Sequence, residues 1–245
     1  TYNYSFQDIQ FIDENNGWIV GYMFIDEGHS KGIILHTSNG GKTWETQLAI
    51  GGDSPYKLIK FNSIRMKDEN IGWANSSPPH DGFGDTDVFK TENGGIQWEF
   101  ITTFRRPTLR LKLASGDTLW AGGWGFEVFA ASPDGGKTWL NTDWDNYRYV
   151  AGLSPYTGKI GWMASQHDFK DSTYQLNFTE DMGATWTKEL EIKGRIVDLE
   201  NKDGYLWLVG YNGLIMRKKI DFTTSVEKQE ELPTSFEVYQ NYPNP

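Results

Sequence analysis

Two short motifs alternate along this 245-residue chain, and their regular return constrains the fold more than any other feature. The first is a strand ending in Gly-Trp: Gly17-Trp18, Gly72-Trp73 and Gly161-Trp162, with Leu119-Trp120 and Leu206-Trp207 in the same slot. Successive tryptophans in this series lie 55, 47, 42 and 45 residues apart. The second is an eight-residue turn, Ser/Thr-x-Asp/Asn-x-Gly-x-Thr/Gln-Trp. It occurs at Thr37–Trp44, Thr91–Trp98, Ser132–Trp139 and Thr179–Trp186.

The turn has a physical logic. The side-chain oxygen of Asn39, Asn93, Asp134 or Asp181 accepts hydrogen bonds from backbone N–H groups further on, closing an Asx-type turn. Gly41, Gly95, Gly136 and Gly183 supply a backbone conformation that side chains resist. Trp44, Trp98, Trp139 and Trp186 then open the next strand and pack over the turn. Two of the four acceptors are Asn, which does no acid–base work, so these positions read as structural.

A repeat of about 45 residues accommodates four strands, the size of one propeller blade. The expected fold is all-β, a β-propeller of about five four-stranded blades. In blade one the strands are expected at Ser5–Ile12, Gly17–Tyr22, Ile33–Thr37 and Thr43–Leu48. The other blades begin near Leu58, Thr108, Tyr147 and Arg195. Blade five has no eight-residue turn; Leu214–Lys219 is its third strand, followed by Ile220–Thr224. The five form a closed ring or the last part of a larger one; the clean start of blade one favours the closed ring.

These motifs resemble the Asp-box, or BNR, repeat over residues 5 to 222, most closely in propellers of the photosystem II assembly-factor type. Sortilin-like receptors, sialidases and xyloglucan hydrolases share the box. The resemblance implies a propeller but not its chemistry, because the box occurs in enzymes and in binding proteins alike.

The net charge of −10 and the lack of a Lys/Arg cluster argue against a nucleic-acid partner, which needs a basic face. With no cysteine, disulfides, thiolate chemistry and Cys-ligated zinc are excluded. No apolar run approaches the ~20 residues of a membrane span. The start at Thr1 leads us to expect that a preceding segment, such as a signal peptide, was removed.

At the other end, residues 225–235 are polar and read as a linker after a propeller spanning 1–224. Residues 236–245 contain Gln-Asn-Tyr-Pro-Asn-Pro and resemble the opening of the C-terminal sorting domain of type IX secretion substrates. That resemblance implies the type IX machinery as a partner and a location outside a Gram-negative bacterial cell, on its surface or in the medium.

Function is expected where the loops joining second to third strands meet those joining one blade to the next, around the channel mouth. Nine of the eleven tryptophans belong to the two motifs; Trp124 and Trp144 do not, and both fall in such loops. Tyr147, His80, His167, Arg105 and Arg148 share that face, which makes these seven the candidate ligand-binding residues. Exposed rings stack on sugars or apolar side chains while charged neighbours fix orientation.

The leading expectation is therefore a secreted module that binds a glycan or an extracellular protein. The alternative is a glycoside hydrolase, which requires a carboxylate pair at a set separation. Asp81, Asp85, Asp145 and Asp168 are its candidates by loop position. Asp81, Asp85 and Asp87, closely spaced in the longest loop, are candidate calcium ligands. No phosphate-binding glycine loop or catalytic Ser/His/Asp arrangement is present to imply an organic cofactor.

Overall fold

The computed structural model describes residues 3–26, 29–51, 59–77, 85–104, 108–123, 129–142, 149–166, 173–221 and 237–240. Twenty strands form five antiparallel four-stranded sheets, one for each expected blade. Blade one holds β1 (Asn3–Phe11), β2 (Gly17–Asp26), β3 (His29–Thr37) and β4 (Glu45–Gly51). Blade two holds β5 (Lys60–Met66), β6 (Gly72–Ser77), β7 (Thr86–Thr91) and β8 (Glu99–Phe104). β9 (Thr108–Leu113), β10 (Leu119–Gly123), β11 (Phe129–Ser132) and β12 (Leu140–Thr142) make blade three. β13 (Tyr149–Pro155), β14 (Gly161–Gln166), β15 (Thr173–Thr179) and β16 (Thr187–Lys193) make blade four. Blade five comprises β17 (Ile196–Lys202), β18 (Tyr205–Gly210), β19 (Leu214–Lys219) and β20 (Glu237–Gln240). No helix among the described residues is long and apolar enough to cross a membrane.

The repeat extends to strand register. Each inner strand carries a bulge at the same place: at Gln7 in β1, Asn62 in β5, Leu109 in β9, Ala151 in β13 and Val197 in β17. A bulge bends the strand and increases its local twist. On either side of it, apolar residues such as Phe61 and Ile64, or Ile196 and Leu199, are buried against the preceding blade. Trp18, Trp73, Trp120 and Trp162 bury in the opposite direction, against the blade that follows.

The four eight-residue turns close as their sequence dictates. In the first, the Thr37 hydroxyl accepts the N–H of Gly41 at 2.9 Å, and Asn39 Oδ1 accepts that of Thr43 at 2.9 Å. The same two bonds recur at Thr91 and Asn93, at Ser132 and Asp134, and at Thr179 and Asp181. The fifth-position glycines Gly41, Gly95, Gly136 and Gly183 have φ of +83°, +89°, +91° and +82°. The fourth position is left-handed too: Gly40, Gly94 and Gly135 occupy it, while Met182 takes φ 62° without a glycine's freedom.

Two expectations change. The fourth strand of blade five is Glu237–Gln240, not Ile220–Thr224: Leu214 pairs Gln240 and Arg217 pairs Glu237. The sequence after Lys219 has no eight-residue turn, and the residues that pair with β19 come from the expected sorting segment. The expected closure of the ring is also not seen among the described residues. Consecutive blades pack inner strand to sheet from one to five, but among the described residues no comparable packing joins blade five to blade one.

Candidate functional site

The inner strands place two rows of residues in register around the channel. One row is Asp8, Ser63, Arg110, Gly152 and Asp198; the other is Gln10, Arg65, Lys112, Ser154 and Glu200. Blades two and three thus supply cations, while blades one and five supply carboxylates.

These charges meet across the channel. Arg65 pairs with Asp8, which also accepts the N–H of Ile64 at 3.1 Å and that of Ile9 at 3.0 Å. Arg110 reaches past blade four to Asp198 at 3.3 Å and donates to the Val197 carbonyl at 2.6 Å. Lys112 meets Glu200 at 2.8 Å. Blade four carries only Gly152 and Ser154 in these rows, which leaves the space that Arg110 and Lys112 cross. Two cavities open along the channel. One, of about 460 Å³, lies towards the loop face among Gln7, Lys60, Asn62, Arg110 and Asp198. The other, of about 370 Å³, lies deeper, among Gln10, Met66, Lys112 and Glu200.

At the loop face, blades four and five bring together Tyr149, Tyr174, Arg195 and Tyr211. The Arg195 guanidinium lies 4.8 Å from the centre of the Tyr211 ring, a cation–π distance. Tyr149 and Tyr174 meet edge to face at 6.5 Å. Burial raises the Tyr174 pKa, with Tyr149 adding to it and a hydrogen bond from Arg195 opposing it. Tyr211 and Arg195 are exposed, so the patch offers a ring and a cation to solvent. A second patch lies between blades one and two, where Lys60 sits 5.9 Å over Tyr22 and Tyr22 meets Phe24 at 4.9 Å.

Most of the sequence-derived candidates fall outside the described residues: Trp124, Trp144, Tyr147, His80, His167, Arg105, Arg148, Asp81, Asp145 and Asp168. Asp85 is described and exposed, and Asp87 accepts the Thr103 hydroxyl at 2.7 Å. Sequence reasoning missed the channel rows and the Arg195–Tyr211 patch. Aligning the inner strands on the shared pattern of Phe6-x-x-Ile9 and Phe61-x-x-Ile64 would have exposed the rows, since it places Asp8, Arg110 and Asp198 at one position.

Searches for a family whose pattern fits the sequence, and for related curated proteins, found no match. Solved structures do match. The structure of YCF48 bound to a D1 peptide shares 21% identity, with a TM-score of 0.60, over 88% of this chain and 63% of that one. The GH74 xyloglucanase of Xanthomonas campestris shares 14%, with a TM-score of 0.63, over 100% of this chain and 40% of that one. The fold is a β-propeller. The Hadza microbial sialidase Hz136 also matches this propeller, at 12% identity and a TM-score of 0.55, over 79% of this chain and 47% of that one. The propeller thus spans less than two thirds of each of these three chains, and at such identities the likeness speaks for the fold alone.

Proposed function

We propose that this chain is a ligand-binding propeller that takes a charged polypeptide segment at the loop face and channel mouth. The observation that carries this reading is the channel lining, with Arg65, Arg110 and Lys112 set against Asp8, Asp198 and Glu200. A lining of both signs complements a ligand carrying both signs, as a polypeptide does, and favours orientation over raw affinity. The Arg195–Tyr211 patch adds a stacking surface and a cation beside the mouth. Each of these carboxylates is already held by a cation, an arrangement suited to recognition rather than to proton donation. The likeness to a propeller solved with a bound peptide is consistent with this choice.

The eight-residue turns serve as Asp-boxes that hold the opposite face rigid. Residues 236–245 serve export through the type IX machinery, which would place the protein outside the cell. Fusion of a reporter ahead of the complete native C-terminus should therefore be secreted, and secretion should fail when residues 240–245 are deleted.

Peptide and glycan arrays probed in parallel, with a hydrolysis screen on the same glycans, test the binding reading. Charged peptides should be retained. Arg195→Ala and Tyr211→Ala should each weaken retention about tenfold without lowering Tm, as should Trp124→Ala or Trp144→Ala if those rings join the site. Release of sugar from any glycan would overturn this reading and restore the hydrolase one, with Asp81, Asp85, Asp145 and Asp168 to be tested first.

A further inference from the structure

Four asparagines in the chain are followed by glycine: Asn16, Asn39, Asn93 and Asn212. In such a pair the glycine nitrogen can attack the asparagine side-chain carbonyl, because no glycine side chain stands in the way. Folding prevents this where it holds both the amide and the attacking N–H. Three of the four are held. Asn16 donates its amide to Asp13 at 2.8 Å, and Gly17 is buried in the ladder between β1 and β3. Asn39 is fixed through both side-chain atoms, Oδ1 by the Thr43 N–H at 2.9 Å and Nδ2 by the Thr43 hydroxyl at 2.7 Å. Asn93 Oδ1 accepts the Gln97 N–H at 2.9 Å and the Thr91 hydroxyl at 3.1 Å. The N–H groups of Gly40 and Gly94 are tied across to the carbonyls of Asn15 and Asn70, each at 2.9 Å.

We propose that Asn212 is a site of spontaneous deamidation, which places a carboxylate on the loop face beside Tyr211 and Arg195. Among the described residues, no hydrogen bond holds the Asn212 side chain, and the Gly213 N–H reaches no other turn or strand. Both residues are exposed, and nothing lies within 4 Å of where a Gly213 Cβ would stand, so water has open access. They sit in a 3-10 turn of three residues, Tyr211–Gly213, with no side-chain cap, and Asn212 itself is left-handed at φ 58°. So short a turn opens at little cost. The Gly213 nitrogen loses its proton to water and bonds to Asn212 Cγ. The Cγ–Nδ2 bond breaks, Nδ2 leaves as ammonia, and a five-membered succinimide remains. Water then opens that ring at either carbonyl, giving aspartate or isoaspartate with no change of oxidation state. Tyr211 is the preceding residue, its N–H bonded to the Arg195 carbonyl at 2.8 Å and its ring 4.8 Å from the Arg195 guanidinium. The new charge therefore arises next to the exposed cation of the loop face. The reaction needs only this turn and water, whatever the loop face binds.

The test is a timed incubation of the folded 245-residue chain in mildly alkaline buffer, with peptide mapping by mass spectrometry and labelling by an isoaspartate methyltransferase. The peptide containing Asn212 should gain about 1 Da and take up label about tenfold faster than those containing Asn16, Asn39 and Asn93, since a loop turn opens more readily than a ladder. In concentrated urea the four should react within about threefold of one another, because the protection of the other three belongs to the fold. Anion exchange should resolve a more acidic species that elutes with N212D, and N212S should not form it at this rate. Should N212S fail to fold, the peptide map of the unaltered chain decides alone. Conversion of Asn16, Asn39 or Asn93 as fast as Asn212 in the folded chain would overturn the proposal. So would an Asn212 that reacts only in urea, or an N212S chain that yields the acidic species as fast as the parent.

Discussion

Lys218 of blade five reaches Glu189 of blade four at 2.5 Å, and both side chains are almost sealed from solvent, 4% and 5% exposed. The other Glu189 oxygen accepts the Trp162 indole N–H at 3.1 Å, and Lys218 lies 5.6 Å from the centre of the Trp162 ring. Three residues on two blades thus share one buried polar junction. Removing either charge alone strands the other in a low-dielectric site. Glu189→Ala or Lys218→Ala should therefore cost about 3–5 kcal/mol, while K218M/E189L should recover most of that loss. Urea unfolding of the three variants checks this.

The motif tryptophans should divide by position rather than by residue type. Trp73 is fully buried, and its indole N–H donates to the Gly135 carbonyl in the next blade at 2.9 Å. Trp73→Ala should cost about 3–5 kcal/mol. Trp207→Ala in the 245-residue chain should cost under about 2 kcal/mol, since that ring is half-covered. Equal losses in denaturant titrations would contradict the burial pattern.

Acid should act on the third and fourth turns and spare the first two. The backbone N–H of Thr138, then its hydroxyl, lowers the Asp134 pKa from 3.8 to about 2. Asp181 is also lowered: burial opposes the shift, but the Thr185 hydroxyl and N–H outweigh it. A carboxylate with a depressed folded-state pKa stabilises the fold above its unfolded value, and that stability is lost as pH falls through the folded one. Asn39 and Asn93 make the same turns with no charge to lose. D134N/D181N should therefore fold normally and flatten the dependence of Tm on pH between about 4 and 2.

His36 adds a separate step nearer neutrality. Burial lowers its pKa below 6.5, opposed by the Glu45 charge. The unfolded chain then takes up the proton first, so stability should begin to fall as pH drops through 6.5. His36→Gln should remove that step while leaving the acid branch in place, as thermal scans across pH would show.

Two glycines separate backbone strain from crowding. Gly183 has φ +82°, and a Cβ there would stand 2.2 Å from Phe129 Cε1. Gly204 has φ +78° with nothing within 4 Å. Gly204→Ala should cost only the left-handed penalty, about 1–2 kcal/mol. Gly183→Ala adds overpacking against the ring and should cost about 2–4 kcal/mol in all.

The propeller was legible in the sequence because its signals are local. A Trp at a strand end and an eight-residue turn each fix their own neighbourhood, and their alternation numbers the blades. The left-handed fourth position of the turn is equally legible in Gly40, Gly94 and Gly135. The channel rows were hidden because Asp8, Arg65, Arg110 and Glu200 look like any solvated strand residues until the inner strands are superposed. A clean N-terminal start favours closure, whereas the exposure of Phe6 and Ile9 depends on packing between blades. The loop candidates around Trp124, Trp144 and His167 lie outside the described residues.

The origin of the outermost strand of blade five has a kinetic consequence. Seven residues join third to fourth strands in blades one to four, but seventeen separate Lys219 from Glu237. On chain-closure entropy alone the longer connection costs about 0.8 kcal/mol more, and its sequence has no eight-residue turn of the kind that carries Asn39. Amide protons bridging Leu214–Lys219 to Glu237–Gln240 should accordingly exchange ahead of the corresponding rungs elsewhere, so that fraying begins at the blade joined to the C-terminus.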